Sequence, residues 1–396
     1  MKSHLDPSIE SLCCHAGAGQ GDGVPLAHPL VQSTTFCQGG VGGTAPYTYS
    51  RVANPTVSAL EATLGRLEDA PPAVCFSTGL AAECALFLAV LKAGDHLVCG
   101  RSVYGGTTRL IREFLAPLGV ACTFVDATCA ADVAAAIRPD TRLVFVETPA
   151  NPTLVLTDLR AVAAITRAAG VPLAVDNTFL TPVLQQPLEL GADISVCSTT
   201  KFIDGHSVAP GGALVTRDEA LLERLRFVRK ATGAIQTPLH AWLTLQGIKT
   251  LPLRIRRQSA TALAVARALA ERPGIARVHY PTFADADLAA AQHRGAHGAV
   301  VTIELAGGLA AAARFCESLR LARLVEHVGS VETLATHPAT MTHASVPEAD
   351  RRAVGITDGL VRLSIGLEEP DEILADLDGA LGALQGEAIA TEGSRS

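Results

Sequence analysis

The chain has 396 residues, 48% of them hydrophobic and 18% charged, a balance that excludes a disordered polymer and gives two or three domains' worth of packed interior. A formal charge of −7 leaves no basic footprint, so nucleic acid and anionic membrane surfaces are not expected as partners and small molecules are. Among the ten cysteines, Cys75, Cys84, Cys99, Cys122 and Cys197 stand singly in apolar runs as small hydrophobes, and the adjacent Cys13 and Cys14 lack the C-x-x-C spacing that grips a metal, so no metal site is expected.

In chain order, the first ten residues mix charge, proline and serine without the apolar stretch of a secretory signal, and the expected compartment is the cytoplasm. The stretch 17–55 is rich in Gly, Pro, Thr and Ser with little helical period, as in an extended arm that must lie on some surface. The apolar run 85–91, bounded by Glu83 and Lys92, is far too short to span a bilayer. From about residue 70, short apolar runs rich in β-branched residues alternate with Ala/Leu/Arg segments, which predicts strands at 73–77, 96–99, 122–125, 143–147, 173–176, 194–197 and 212–216. Most are too apolar to be half exposed. The expected class is therefore α/β, a mainly parallel sheet with helices on both faces and ligands at the carboxyl ends of its strands. A long helix over 254–271, closed by Pro273 and Gly274, leads to further strands at 299–305 and 360–365 in a smaller C-terminal α/β domain. The expected division is an arm over 1–60, a large domain over 61–252 and a C-terminal domain over 253–396, with a polar tail from 386 outside the packed body.

Five features fall at predicted strand ends or helix starts. At Ser77-Thr78-Gly79-Leu80 a strand passes through glycine into a helix, leaving backbone N–H groups and a positive dipole end that suit a phosphate. Asp176-Asn177-Thr178 places a carboxylate where the sheet opens on its crevice, although Asp-Asn is also a common turn. Ser198-Thr199-Thr200-Lys201 sets hydroxyls and a lysine just past an apolar strand, and lysine is seldom buried without a purpose. Tyr104-Gly105-Gly106 offers an aromatic ring on a glycine pair, and Arg362 is a cation inside an apolar strand, as a carboxylate clamp or a structural ion pair would require. Together they match pyridoxal phosphate (PLP), whose aldehyde needs a lysine, whose ring nitrogen needs an acid, whose phosphate needs a helix start and whose ring needs an aromatic lid. The 25 residues from Asp176 to Lys201 leave room for one crossover helix, expected over 182–191, and one strand.

With these residues in place the chain resembles the Cys/Met-metabolism family of PLP-dependent enzymes, which contains cystathionine γ-synthases and γ-lyases, methionine γ-lyases and homoserine-ester sulfhydrylases. The matching segments run from His15-Ala16-Gly17 through Tyr49-Ser50-Arg51, Asn54-Pro55-Thr56 and Glu147-Thr148-Pro149-Ala150-Asn151-Pro152 to His337-Pro338-Ala339-Thr340-Met341-Thr342-His343 and Arg362-Leu363-Ser364. The resemblance implies the fold type I architecture of PLP-dependent transferases. It implies that Lys201 carries the cofactor as a Schiff base and acts as base, that Asp176 pairs with the ring nitrogen, and that Tyr104 stacks on the ring and protonates the leaving group. It further implies that Gly79, Leu80, Ser198 and Thr200 bind the phosphate, helped by Tyr49 and Arg51 from a neighbouring subunit in a homo-oligomer, a dimer of dimers. Arg362 with Asn151 would hold the substrate carboxylate, with Arg109, Glu326 and His327 also on the substrate side.

Departures from the family pattern gather on that side: Val208 and His240 stand where Asp is usual, Gln246 where Arg is usual, and His327-Val328-Gly329-Ser330 replaces a Ser-Leu-Gly-Gly-like segment. Glu326 matches the cystathionine enzymes, and Gly106 lacks the cysteine of methionine γ-lyase. The expected reaction is γ-replacement or γ-elimination on a sulfur amino acid or an O-acyl-homoserine. The alternatives are a homoserine-ester sulfhydrylase, a secondary-pathway relative using another nucleophile, or an inactive PLP-fold binder, which would have little use for a retained base and carboxylate clamp.

Overall fold

The computed structural model describes residues 7–19, 21–344 and 346–393. Seven strands build the larger sheet: β1 Val74–Phe76, β2 His96–Gly100, β3 Ala121–Val125, β4 Thr141–Glu147, β5 Leu173–Asp176, β6 Ile194–Cys197 and β7 Gly212–Thr216, in the spatial order β1-β7-β6-β5-β4-β2-β3. The run from β3 to β6 is parallel, and β7 is antiparallel to both β6 and β1. Every residue of β2, β5, β6 and β7 is buried, which is why these strands read as unbroken apolar runs. Successive side chains still part to opposite faces: Leu97 and Cys99 pack with the helix Gly79–Val90, whereas Val98 joins the cluster of the helix Leu159–Ala169. The expected α/β class with a mainly parallel, two-sided sheet holds.

The 182–191 segment departs from its expected helix. Only Thr181–Leu184 is helical, because Pro187 has no N–H to continue the ladder and Gly191 turns at φ +102°. Side chains satisfy the backbone instead: Gln185 Nε2 donates to the Thr148 carbonyl and to Asn177 Oδ1, each at 3.0 Å, and Asn177 Nδ2 donates to the Gln185 carbonyl at 2.7 Å.

A smaller sheet follows, made of β8 Ile275–His279, β9 Val300–Leu305, β10 Arg323–Leu324, β11 Leu334–Thr336 and β12 Leu360–Ser364 in the order β10-β11-β12-β9-β8. The helix Leu251–Ala270 joins the two sheets: Leu251 and Ile255 lie in the core of the first, Ala262, Val265 and Leu269 in that of the second. It starts earlier than expected because Pro252 is tolerated in a first turn, whose N–H groups have no intrahelical partner.

At the N-terminus, α1 Ile9–Cys14 precedes the arm, which is pinned by an isolated bridge between Thr35 and Tyr49 and ends where the Asn54 side chain caps α2 Pro55–Leu67. The C-terminal helix Pro370–Gly393 continues into the polar segment from 386, and residues 394–396 lie outside those described. All ten cysteines are free; Cys75, Cys99 and Cys197 are buried, whereas Cys84 and Cys122 are only half-buried. No helix among the described residues is long and apolar enough to cross a membrane.

Candidate active site

The carboxyl ends of β1, β4, β5 and β6 open on one cavity of about 910 Å³, its solvent-filled mouth included, and the smaller sheet supplies the facing wall. On the first side, β1 passes through Thr78 into α3 Gly79–Val90, whose first N–H groups have no intrahelical partner. Thr78 caps the helix by accepting from the Ala81 N–H at 3.0 Å, and Gly79 and Leu80 line the cavity. Glycine is required at 79: a Cβ there would lie 2.7 Å from the Cβ of Ser198. Ser198 therefore stands directly against the helix start. Thr200 also lines the cavity, but its hydroxyl donates to the Gly211 carbonyl at 3.1 Å and accepts from the Gly211 N–H at 2.9 Å, so its hydrogen must turn to serve an anion.

Asp176 ends β5 inside the cavity, 8% exposed, its Oδ1 accepting from the Thr178 N–H at 2.8 Å. It forms no ion pair among the described residues, and burial raises its pKa, so the site favours a cationic ligand group beside it. Lys201 follows β6, where burial and, to a smaller degree, the charge of Arg362 bring its amine down to about 8. Such an amine is part neutral near neutral pH and can act as nucleophile and base. Its Nζ lies 3.4 Å from Nδ1 of His327, whose own pKa falls to about 4 through burial first and then the charges of Lys201 and Arg362. His327 is thus a neutral imidazole in contact with the lysine. Gly329 makes this approach possible: at φ +89°, a Cβ would meet the Phe202 N at 2.5 Å and the Lys201 C at 2.8 Å.

Arg362 projects from the middle of β12. Its Nη1 donates to Asn151 Oδ1 at 2.8 Å, and its Nη2 to the His327 carbonyl at 2.8 Å and to Thr336 Oγ1 at 3.0 Å. Burial lowers this fully buried guanidinium to about 10, and its Nε has no partner among the described residues, which suits a clamp for an anion. Tyr104, 39% exposed, and Glu326 complete the wall.

Ten of the residues singled out in the sequence thus share one cavity. Tyr49, Arg51 and Arg109 do not line it, and His327 meets the site through Lys201 and Arg362. The Arg51 guanidinium lies 5.4 Å over the Tyr49 ring and donates to the Lys230 carbonyl at 3.0 Å, on an exposed part of the arm. Glu83 and Phe179 also line the cavity without having been singled out, and Thr178 was quoted only within the Asp176 motif. Glu83 was signalled only as one acid in an apolar helix. Glu147, quoted only within a motif, accepts the Tyr104 and Asn151 N–H groups at 2.7 Å each and so fixes two wall segments.

Lysine, uncompensated aspartate, glycine-lined helix start and a buried guanidinium without a counter-ion among the described residues fit PLP with an amino-acid substrate. The Cys/Met metabolism PLP-dependent enzyme family model matches residues 10–382. The cystathionine gamma-synthase of Mycobacterium tuberculosis is 45% identical over 89% of this chain and 91% of its own length, and the cystathionine gamma-lyase of Bacillus subtilis 41% identical over 94% and 98%. The crystal structure of cystathionine gamma synthase from Xanthomonas oryzae pv. oryzae in complex with aminoacrylate and cysteine superposes with a TM-score of 0.93, at 38% identity, over 96% of this chain and 100% of that one.

Proposed function

The chain belongs to the Cys/Met-metabolism family of PLP-dependent enzymes, and from that premise we propose that it acts in trans-sulfuration, forming cystathionine from an O-acyl-homoserine and cysteine or cleaving it at its γ carbon. The observation that carries the proposal is that one cavity holds both a carboxylate clamp and an acid. Arg362 with Asn151 offers a buried clamp for one carboxylate, and Glu326, on the same cavity wall, offers an anion for a second, distal ammonium. Cystathionine has both ends. The relatives named above as synthase and lyase support the same chemistry.

In this reading Lys201, Asp176, Tyr104, Gly79, Leu80, Ser198 and Thr200 hold PLP, with Tyr49 and Arg51 supplied by a second copy of the chain in a homo-oligomer. When bound, PLP supplies the electron sink for the charge left at the substrate Cα. Lys201 Nζ takes the Cα proton and returns it farther along the substrate, and its lowered pKa keeps a useful neutral fraction for the task. His327 Nδ1 accepts a hydrogen bond from that amine and holds it toward the substrate. Arg362 fixes the carboxylate and hence the Cα–H direction, and Tyr104 donates a proton to the group leaving Cγ. The ten free cysteines suit a reducing cytoplasm.

Product analysis of the PLP-loaded protein tests the proposal. With O-acyl-homoserine and cysteine we expect cystathionine, or from cystathionine alone a 2-oxo acid, ammonia and cysteine. Turnover of neither would contradict it and favour a relative using another nucleophile, which the imidazole of His327 beside the reacting lysine would serve.

A further inference from the structure

Glu83 lines the cavity yet has no part in the reaction proposed above. It lies on the second turn of α3, 3% exposed, beside Asp176 and Glu147. An ionised carboxylate in such a place needs a cation or several N–H donors. Glu83 has neither. It forms no ion pair among the described residues, and its hydrogen bond joins Oε2 to the Thr107 hydroxyl at 2.7 Å. A hydroxyl accepts from a protonated acid as readily as it donates to a carboxylate.

The groups that face Glu83 include no cation among the described residues. They are Asp176 from β5, Glu147 from β4, Thr107 from the helix Gly105–Arg109, the thiol of Cys99 from β2 and that of Cys84 on the same helix. Glu147 accepts a backbone N–H on each oxygen and Asp176 accepts the Thr178 N–H, contacts that Glu83 lacks and that favour the anion, although burial and then the charge of Asp176 push the Glu147 carboxyl up as well. The cavity's cations are committed elsewhere, Arg362 to Asn151 and Thr336 and Lys201 to His327. Burial and then the charge of Asp176 push the Glu83 carboxyl up to about 8, in line with this geometry.

We propose that Glu83 is a positioning residue that keeps a proton beside Asp176, so that Asp176 meets the ring nitrogen of the cofactor as the single ionised member of the pair. Two carboxylates there would repel, and a second negative charge would raise the proton affinity of whatever Asp176 faces. The inference rests on the assignment of Asp176 to the ring nitrogen made under the proposed function.

Infrared difference spectroscopy of the PLP-loaded protein against Glu83→Gln is the test. At pH 7 the native protein should show the carbonyl band of a protonated carboxyl that the variant lacks. Its visible cofactor band should coincide with that of the variant at pH 7 and part from it above pH 8, where only the native protein gains the extra charge. If Glu83→Gln fails to fold, Thr107→Val serves: the band should persist to higher pH, because the hydroxyl no longer stabilises the anion. A band unaffected by either variant, or cofactor spectra that coincide at every pH, would overturn the proposal while leaving Asp176 in place. An Asp176→Asn protein with an unchanged cofactor spectrum would instead overturn the assignment of Asp176, and the Glu83 proposal with it.

Discussion

At the scale of single residues, Arg362 shows how one side chain joins the two sheets. It stands on β12 yet reaches Asn151 after β4, and its partners are neutral oxygens that add no second charge. Arg362→Ala should lower kcat/KM for an amino-acid substrate by about 100-fold, roughly 3 kcal/mol of lost carboxylate binding, with a far smaller effect on PLP affinity; equal loss of both would contradict the clamp. His293 gives a second test, away from the cavity. It is 6% exposed, its Nδ1 is 3.1 Å from Nδ1 of His297, and burial and then that neighbour lower its pKa to about 3. Between pH 6.5 and about 3 the unfolded chain binds a proton that the folded one refuses, so the contribution of His293 to stability is lost as pH falls through that window. His293→Leu should flatten the acid limb of denaturant-unfolding curves, by on the order of 4 kcal/mol at its foot. Lys201, Asp176 and Arg362 could be singled out in the sequence because each interrupts or ends an apolar strand; each alone also had a bland reading, a turn at Asp176 or an ion pair at Arg362, and only their combination pointed to one site. Glu83 was not, because one acid in an Ala-rich helix reads as a solvated face until the fold shows which way it points. The contact between Lys201 and His327, 126 residues apart, depends on how the second sheet docks, which local pattern does not encode.

At the scale of elements, strands were the most legible because burial on both faces writes them as apolar runs, and β5, β6 and β7 have the expected bounds. The helix expected over 182–191 failed because proline and glycine outweighed its apolar residues and buried amides took over the backbone's hydrogen bonds. A comparable polar joint holds α2 to the sheet: Arg229, on the helix Glu219–Thr232, pairs with Glu61 and donates to the Cys75 carbonyl of β1 at 2.9 Å. Both partners are nearly inaccessible. Arg229→Ala should therefore destabilise the protein by about 3–5 kcal/mol in equilibrium unfolding, because it strands the Glu61 charge; a loss under about 1 kcal/mol, as for an exposed pair, would show that Glu61 is neutral or solvated.

At the scale of the whole molecule, the arm poses the remaining question. Tyr49 is 41% exposed and, with Arg51, lies away from the cavity of its own chain, as expected if both serve a neighbour. Separately purified Lys201→Ala and Arg51→Ala proteins should each be nearly inactive. Dissociated and reassociated as a mixture, they should regain about a quarter of native activity, since half of randomly mixed dimers carry one intact site of two; no recovery in verified hybrids would place Arg51 outside the partner's site. The central claim, however, concerns the amine at position 201. The chain has only five lysines, Lys2, Lys92, Lys201, Lys230 and Lys249, so borohydride reduction of the PLP-loaded protein followed by peptide mapping gives an unambiguous answer. The account predicts one pyridoxyl group per chain, on Lys201; a label on any other lysine, or none after saturation with PLP, would contradict it.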